Sequence, residues 1–125
     1  LKNAFAANQP LLGICVGMQV LFEGSEEDPD CAGLGVLRGR VRKLHSPKQP
    51  MMGWSRVRFP RGDVPEGDVY FVNSYVVPDS DAGIGYAEYG ERFCAVVQKN
   101  RWIACQFHPE KSGAYGMRLL QQWLS

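Results

Sequence analysis

Leu11-Leu12-Gly13-Ile14-Cys15-Val16-Gly17-Met18-Gln19 decides how this chain is read. A short apolar run ends at Gly13-Ile14, a cysteine follows, and an amphipathic run continues through Val20 to Phe22. That is the order of a strand, a sharp turn and a helix. Gly-x-Cys-x-Gly is the cysteine form of the nucleophile elbow, more often written with serine. A nucleophile on such a turn needs small neighbours so that strand and helix can approach, and Gly13 and Gly17 are read in that role. The sulfur is then expected at the positive end of the helix, whose unpaired N–H groups favour thiolate over thiol. The Val16 N–H is placed to face an oxyanion. Over these five residues alone, a buried structural cysteine beside two loop glycines reads the same way.

The rest of the chain narrows the choice. Its 125 residues suit one domain, 45% of them are apolar, and the net charge is +1. That balance supports a real core and gives no bulk attraction to nucleic acid or membrane. No apolar run approaches a membrane span, and the start, Leu1-Lys2-Asn3-Ala4-Phe5, lacks the long apolar core of a signal peptide. The four cysteines, Cys15, Cys31, Cys94 and Cys105, fit no zinc spacing and no disulfide framework, so a reducing, cytoplasmic setting is expected. The chain does not begin with Met. Residues 1–8 read as the last turns of a helix feeding the Leu11–Ile14 strand, so further strands are expected upstream.

Outward from the elbow, Val16 to Glu23 is predicted as its helix, closed by Gly24, and Ser25 to Gly35 as an acidic, solvated loop. Val36 to Leu44 alternates apolar and basic residues, as a half-exposed strand or hairpin does. Its basic side is a solvent-facing strand face or a phosphate or partner patch. His45 to Pro50 reads as a loop, Met51 to Trp54 as an apolar stretch not fully buried, and Trp54 to Phe59 as a strand. Asp68 to Val77 is strongly β, with Asn73-Ser74-Tyr75 as a polar interruption that suits a functional strand end or a plain strand terminus. Ile84–Tyr89, Phe93–Gln98 and Trp102–Phe107 are three more strands. Gly113 to Ser125 is an amphipathic helix with Tyr115, Leu119, Leu120, Trp123 and Leu124 on its apolar side.

Of the two histidines, His45 lies in a Pro/Ser/Lys loop. His108 ends the last strand and has Glu110 two places on. In parallel α/β sheets, sites gather at the carboxyl ends of strands, which places Cys15 and His108 together. A thiol needs a base, and the base an orienting acid; His108 and Glu110 fit, with Pro109 stiffening the step between them. The plain alternative is a strand-end histidine capping the next helix.

Taken together, Gly13-Ile14-Cys15-Val16-Gly17-Met18-Gln19 and Gln106-Phe107-His108-Pro109-Glu110 resemble the triad-type, class I glutamine amidotransferases. Ser25-Glu26-Glu27, Gly33-Leu34-Gly35, Met52-Gly53-Trp54, Tyr70 to Tyr75, and His108 to Gly113 resemble, within that family, the glutaminase subunit of imidazole glycerol phosphate synthase. The resemblance covers essentially the whole chain. It implies a three-layer, flavodoxin-like α/β fold, here without its N-terminal strands, so that residues 1–125 are the C-terminal portion of the amidotransferase domain. It implies that Cys15 attacks the side-chain amide of glutamine, that His108 moves the proton and that Glu110 orients His108. Gln19, Val16 and the backbone of Ser74 and Tyr75 would bind glutamine. Trp54, Tyr70, Asn73 and Lys111 would face a (β/α)8-barrel cyclase subunit in a heterodimer. That subunit would take the ammonia to make imidazole glycerol phosphate and AICAR in histidine biosynthesis. No cofactor and no metal is called for.

Two departures bear on this. The family usually has His where this chain has Asn73, and Asn carries no charge near neutral pH. Family members also carry an upstream glycine-rich loop that supplies a second oxyanion donor. Its loss would cost about 10²–10³ in rate, so these residues alone are expected to be poorly active. Other readings are another class I amidotransferase, a cysteine hydrolase of γ-glutamyl peptides, or a non-catalytic remnant that only binds a partner.

Overall fold

The structure, a computed structural model, describes residues 2–46 and 48–125. Leu1 of the predicted first helix and Pro47 of the predicted loop lie outside them. The central sheet has the order β1-β10-β9-β8, built from Leu11–Ile14, Trp102–Cys105, Arg92–Lys99 and Gly83–Glu88. β1 runs parallel to β10, and the other two pairings are antiparallel. The sheet is thus mixed, and the short connections expected between the last three strands are kept. Lys99 pairs with Trp102, leaving a two-residue loop with Asn100 at φ 53°, and so short a connection can only return antiparallel. The carboxyl ends of β1 and β10 still lie side by side, with Ile14 opposite Cys105.

Strand periodicity sends alternate side chains to opposite faces. Leu12, Ile14, Ile103 and Cys105 face α3 (Gly113–Leu124) and β6 (Gly67–Asn73), where Phe71 packs edge-on to Phe93 and Phe107 at 5.5 and 5.8 Å. Leu11, Trp102 and Ala104 face the opposite way, onto Phe5 of α1 (Lys2–Ala6), Met18, Leu21 and Phe22. The sheet is thus covered on both sides, giving three layers. No helix among the described residues is long and apolar enough to cross a membrane.

Several predicted elements differ. The elbow helix α2 is one turn, Val16–Gln19, rather than Val16–Glu23. Beyond it, the Val20 and Phe22 carbonyls accept N–H groups from Leu34 and Gly35, so tertiary bonds replace helical ones. The acidic stretch is not a loop. β2 (Gly24–Ser25) and β3 (Asp28–Ala32) form a hairpin, and β4 (Arg40–Lys43) joins it beside β2. Every residue of β3 is exposed, which left no apolar alternation to read. β5 (Met51–Val57) starts earlier than Trp54 and pairs with β6. The single strand predicted over Asp68–Val77 breaks at Ser74. β6 ends at Asn73, and β7 (Tyr75–Val76) turns away to pair with β4.

One ion pair ties β4 to the β8–β9 turn. Arg42 lies 2.5 Å from Glu91, both side chains are mostly buried, and Glu91 also accepts the His45 N–H. The Arg42 hydrogen bonds hold the Glu91 carboxyl down to about 2, from an ordinary 4.5. A carboxyl with a depressed folded pKa stabilises above its unfolded value and loses that contribution as pH falls through the folded one. Acid melts should therefore steepen between pH 4.5 and 2. Glu91→Gln should flatten that limb and destabilise by about 1 kcal/mol at neutral pH, solvent at the edge of the pair keeping the effect small.

Candidate active site

Cys15 stands between β1 and α2 at φ 56°, ψ −110°, a conformation that L residues rarely adopt and that strained functional turns often hold. Its N–H donates to the Cys105 carbonyl at 2.8 Å, extending the parallel ladder by one step. Its carbonyl accepts from Met18 and Gln19 at 3.0 and 3.3 Å, which closes the single turn of α2. The elbow is real, but its two glycines differ. A Cβ on Gly13 would lie 2.7 Å from the Gly17 carbonyl oxygen, a backbone atom, whereas a Cβ on Gly17 meets nothing within 4 Å. The close approach is made at Gly13 alone. Gly13→Ala should destabilise by about 1–3 kcal/mol, while Gly17→Ala should melt within a few degrees of the wild type. Equal losses in the two variants would contradict that assignment.

His108 follows β10 and is held from both sides. Its N–H donates to the Tyr70 carbonyl at 2.9 Å, and its carbonyl accepts the Ser112 hydroxyl at 2.6 Å. The same hydroxyl, buried, accepts the Tyr70 N–H at 2.9 Å, so one serine staples the histidine to β6. His108 Nδ1 lies 3.0 Å from Glu110 Oε2. A carboxylate there accepts from Nδ1–H, which leaves Nε2 with its lone pair free to take a proton. The side chain of His108 caps nothing, so the helix-capping alternative is set aside. The Pro109–Lys111 turn carries Glu110 back toward the imidazole.

The cysteine is not the preformed thiolate that the elbow suggested. Burial pushes its thiol above the ordinary value; the Val16 N–H and the Gln106 amide offset this only in part, and the charge of Glu110 adds to it. A one-turn helix carries too few aligned peptides to reverse the balance. Among the described residues no hydrogen bond joins Cys15 to His108. A side-chain donor to the sulfur is Gln106 Nε2, at 3.6 Å. Burial also raises Cys94, to about 12, and Cys105, while Cys31 is exposed.

Cys15 opens onto a cleft of about 270 Å³ lined by Val16, Gln19, Glu27, Ser74 and Tyr75, with Asn73 at its wall. The predicted glutamine-binding residues are thus brought together with Cys15. His108 and Glu110 are not among the residues lining this cleft. Ser74 offers less backbone than expected, because its carbonyl already accepts the Leu44 N–H at 2.8 Å. Glu27, read as part of a solvated charge run, is brought to the cleft by the β2–β3 turn. Only the unseen hairpin could have pointed to it.

The expected partner face is divided. Trp54 is 59% exposed and stacks edge-on against Tyr70 at 5.9 Å, with Met52 exposed beside it on the same strand face, and Lys111 is exposed on its turn. Asn73 does not belong to that surface. It is 7% exposed, its Nδ2 donates to the Tyr75 carbonyl at 3.2 Å, and its buried Oδ1 has no partner among the described residues.

Comparison with known proteins agrees with this geometry. The family described as Glutamine amidotransferase class-I matches residues 1–124. A protein of Shouchella clausii (strain KSM-K16), described as imidazole glycerol phosphate synthase subunit HisH, is 46% identical over 136 residues, which is 98% of this chain and 66% of that protein. The protein of the same description from Methanopyrus kandleri is 50% identical over 123 residues, covering 93% of this chain and 62% of its own. The chain therefore spans about two thirds of the length of these relatives. A crystal structure of a glutamine amidotransferase superposes with a TM-score of 0.72 over 98% of this chain and 63% of its own, at 21% identity, which is a likeness of fold. By its elbow, its His-Pro-Glu turn and a family match that runs almost end to end, the chain belongs to the class I glutamine amidotransferases.

Proposed function

We propose that this chain is the glutaminase subunit of an imidazole glycerol phosphate synthase, releasing ammonia from L-glutamine for a cyclase partner. The observation that carries the chemistry is the His108–Glu110 pair at 3.0 Å, held at the end of β10 beside the Cys15 elbow at the end of β1. The names of the relatives support the pathway. In this reading Cys15 is protonated at rest, so His108 acts as a base in the attack itself. His108 Nε2 takes the thiol proton as Sγ bonds to the side-chain amide carbon of glutamine. The Val16 N–H faces the oxyanion of the tetrahedral intermediate. The proton then passes to the amide nitrogen, the C–N bond breaks, and ammonia leaves behind a γ-glutamyl thioester. Water, losing its proton to His108, hydrolyses that ester to glutamate and restores the thiol. Unliganded sites often leave such hydrogen bonds long, and bound glutamine completes this one.

Glu27 across the cleft suits the α-ammonium of glutamine, and Gln19, Ser74 and Tyr75 line the path of its backbone end. Trp54 and Tyr70, with Lys111, form the face offered to a (β/α)8-barrel cyclase, through which ammonia would pass. The test is labelling with a glutamine-mimicking electrophile followed by mass mapping. Cys15 should carry the label, and excess glutamine should suppress it. Ammonia release should also rise when the cyclase subunit is added. Label spread evenly over Cys15, Cys31, Cys94 and Cys105, with no protection by glutamine, would overturn the reading.

A further inference from the structure

A chain of side-chain amides ends on the sulfur of Cys15. It begins at the Tyr75 carbonyl, which can only accept. Gln19 Nε2 lies 3.1 Å from that oxygen, so the NH₂ group of Gln19 is the end that points there. The same NH₂ lies 3.0 Å from Gln106 Oε1. Gln106 must then turn its own NH₂ the other way, and Nε2 lies 3.6 Å from Cys15 Sγ. Asn73 Nδ2 occupies the second lone pair of the Tyr75 carbonyl at 3.2 Å. A fixed peptide thus sets the direction of two amides in turn. Gln106 is fully buried between Cys105 and Phe107, where an amide without partners would be costly.

We propose that Gln106 is the donor that stabilises negative charge on the Cys15 sulfur, and that Gln19 is a positioning residue that keeps the Gln106 amide from flipping. The proposal rests on the reading of Cys15 as a nucleophile. A flipped Gln106 would present Oε1 to the sulfur and oppose thiolate formation. Gln19 would then influence the nucleophile without touching it, beside any contact it makes with glutamine.

The charged and titratable groups around the sulfur are Glu110 and His108 on the turn after β10, Cys105 on β10, and Glu27 and Tyr75 across the cleft. Neither Gln19 nor Gln106 titrates. Replacing them leaves that set unchanged, so a shift reads the amide dipole.

The experiment is the pH profile of Cys15 alkylation by iodoacetamide, mass-mapped, in the full chain. Gln106→Met keeps the length of the side chain and removes the donor; Gln19→Met removes the lock. Both should raise the midpoint by about one pH unit, a roughly tenfold loss of thiolate at a fixed lower pH, since a hydrogen bond to a charged group is about that strong. Cys94 and Cys105, buried in the wild type, should stay unlabelled as the sign of an intact fold. An unmoved midpoint in a folded Gln106→Met chain would refute the donor role. A shift in Gln106→Met without one in Gln19→Met would refute the lock. If Gln106→Met labels Cys94 and Cys105 and so is not folded, Gln19→Met decides alone, a raised midpoint supporting the chain of amides and an unmoved one overturning it. Because no substrate is used, failure of the glutaminase reading would show separately, as lack of protection by glutamine.

Discussion

Replacing His108 with alanine is expected to lower ammonia release from glutamine about 10²–10⁴-fold, the contribution that a positioned general base typically makes. The size follows from the resting state of Cys15. Burial raises the Cys15 thiol above its ordinary value, so in the proposed reaction His108 serves as a base within the chemical step. Glu110→Gln sharpens the test because its two effects have opposite signs. The carboxylate that orients His108 at 3.0 Å also opposes negative charge on Cys15. Removing it should lower the pH at which Cys15 is alkylated while turnover falls. A catalytic pair that merely tuned the cysteine would move both readouts together. Turnover in His108→Ala within tenfold of the wild type would end the triad reading.

Gly116→Ala should produce a large loss of stability for a single added methyl group. A Cβ there would lie 2.1 Å from the Pro109 carbonyl oxygen, 3.0 Å from its carbon and 2.7 Å from Ser112 Cβ. The closest of these is a backbone atom, and neither it nor a Cβ can rotate away as the tip of a side chain can. Overpacking of this kind costs about 2–4 kcal/mol, or roughly 5–15 °C in melting temperature for a domain of this size. The loss should not be confined to stability. Pro109 separates His108 from Glu110, and Ser112 staples His108 to Tyr70. The helix α3 therefore presses on the turn that holds His108. Below its melting point, Gly116→Ala should still show weakened turnover with unchanged alkylation of Cys15, since β1 and the elbow are not touched. A calorimetric scan with a parallel alkylation profile separates the two effects.

The site was legible in the sequence to the extent that it rests on short-range geometry. Gly13 before Cys15, and Pro109 between His108 and Glu110, each dictate a local backbone shape that the structure keeps. The parts that were not legible depend on partners far along the chain. The predicted helix to Glu23 stops at Gln19 because residues 34 and 35 claim its carbonyls. The strand through Ser74 breaks because Met51 and Lys43 compete for its two halves. Glu27 is exposed and polar like any surface residue until the hairpin turn carries it to the cleft. Gln106 did carry a signal. An amide between Cys105 and Phe107 in an apolar strand end must have buried partners, and the question of where they are leads to Gln19 and Cys15. Asn73 was assigned to the partner face by resemblance alone, and the structure places it 7% exposed at the end of β6.

The pairing of β1 with β10 joins the two ends of the chain's timetable. Gln106 stands 91 residues from Cys15 in sequence, and nothing local holds the elbow against the histidine turn. Closing so long a loop is paid in chain entropy before any contact returns it, which makes this step slow among the events of folding. On a ribosome, Cys15 emerges long before the strand that will cover it. During that interval it is a solvent-exposed thiol, open to oxidation and mixed disulfides that the native fold hinders. Accessibility of Cys15 and Cys105 to a fast thiol reagent, followed in time during refolding, is therefore a clock for the last association.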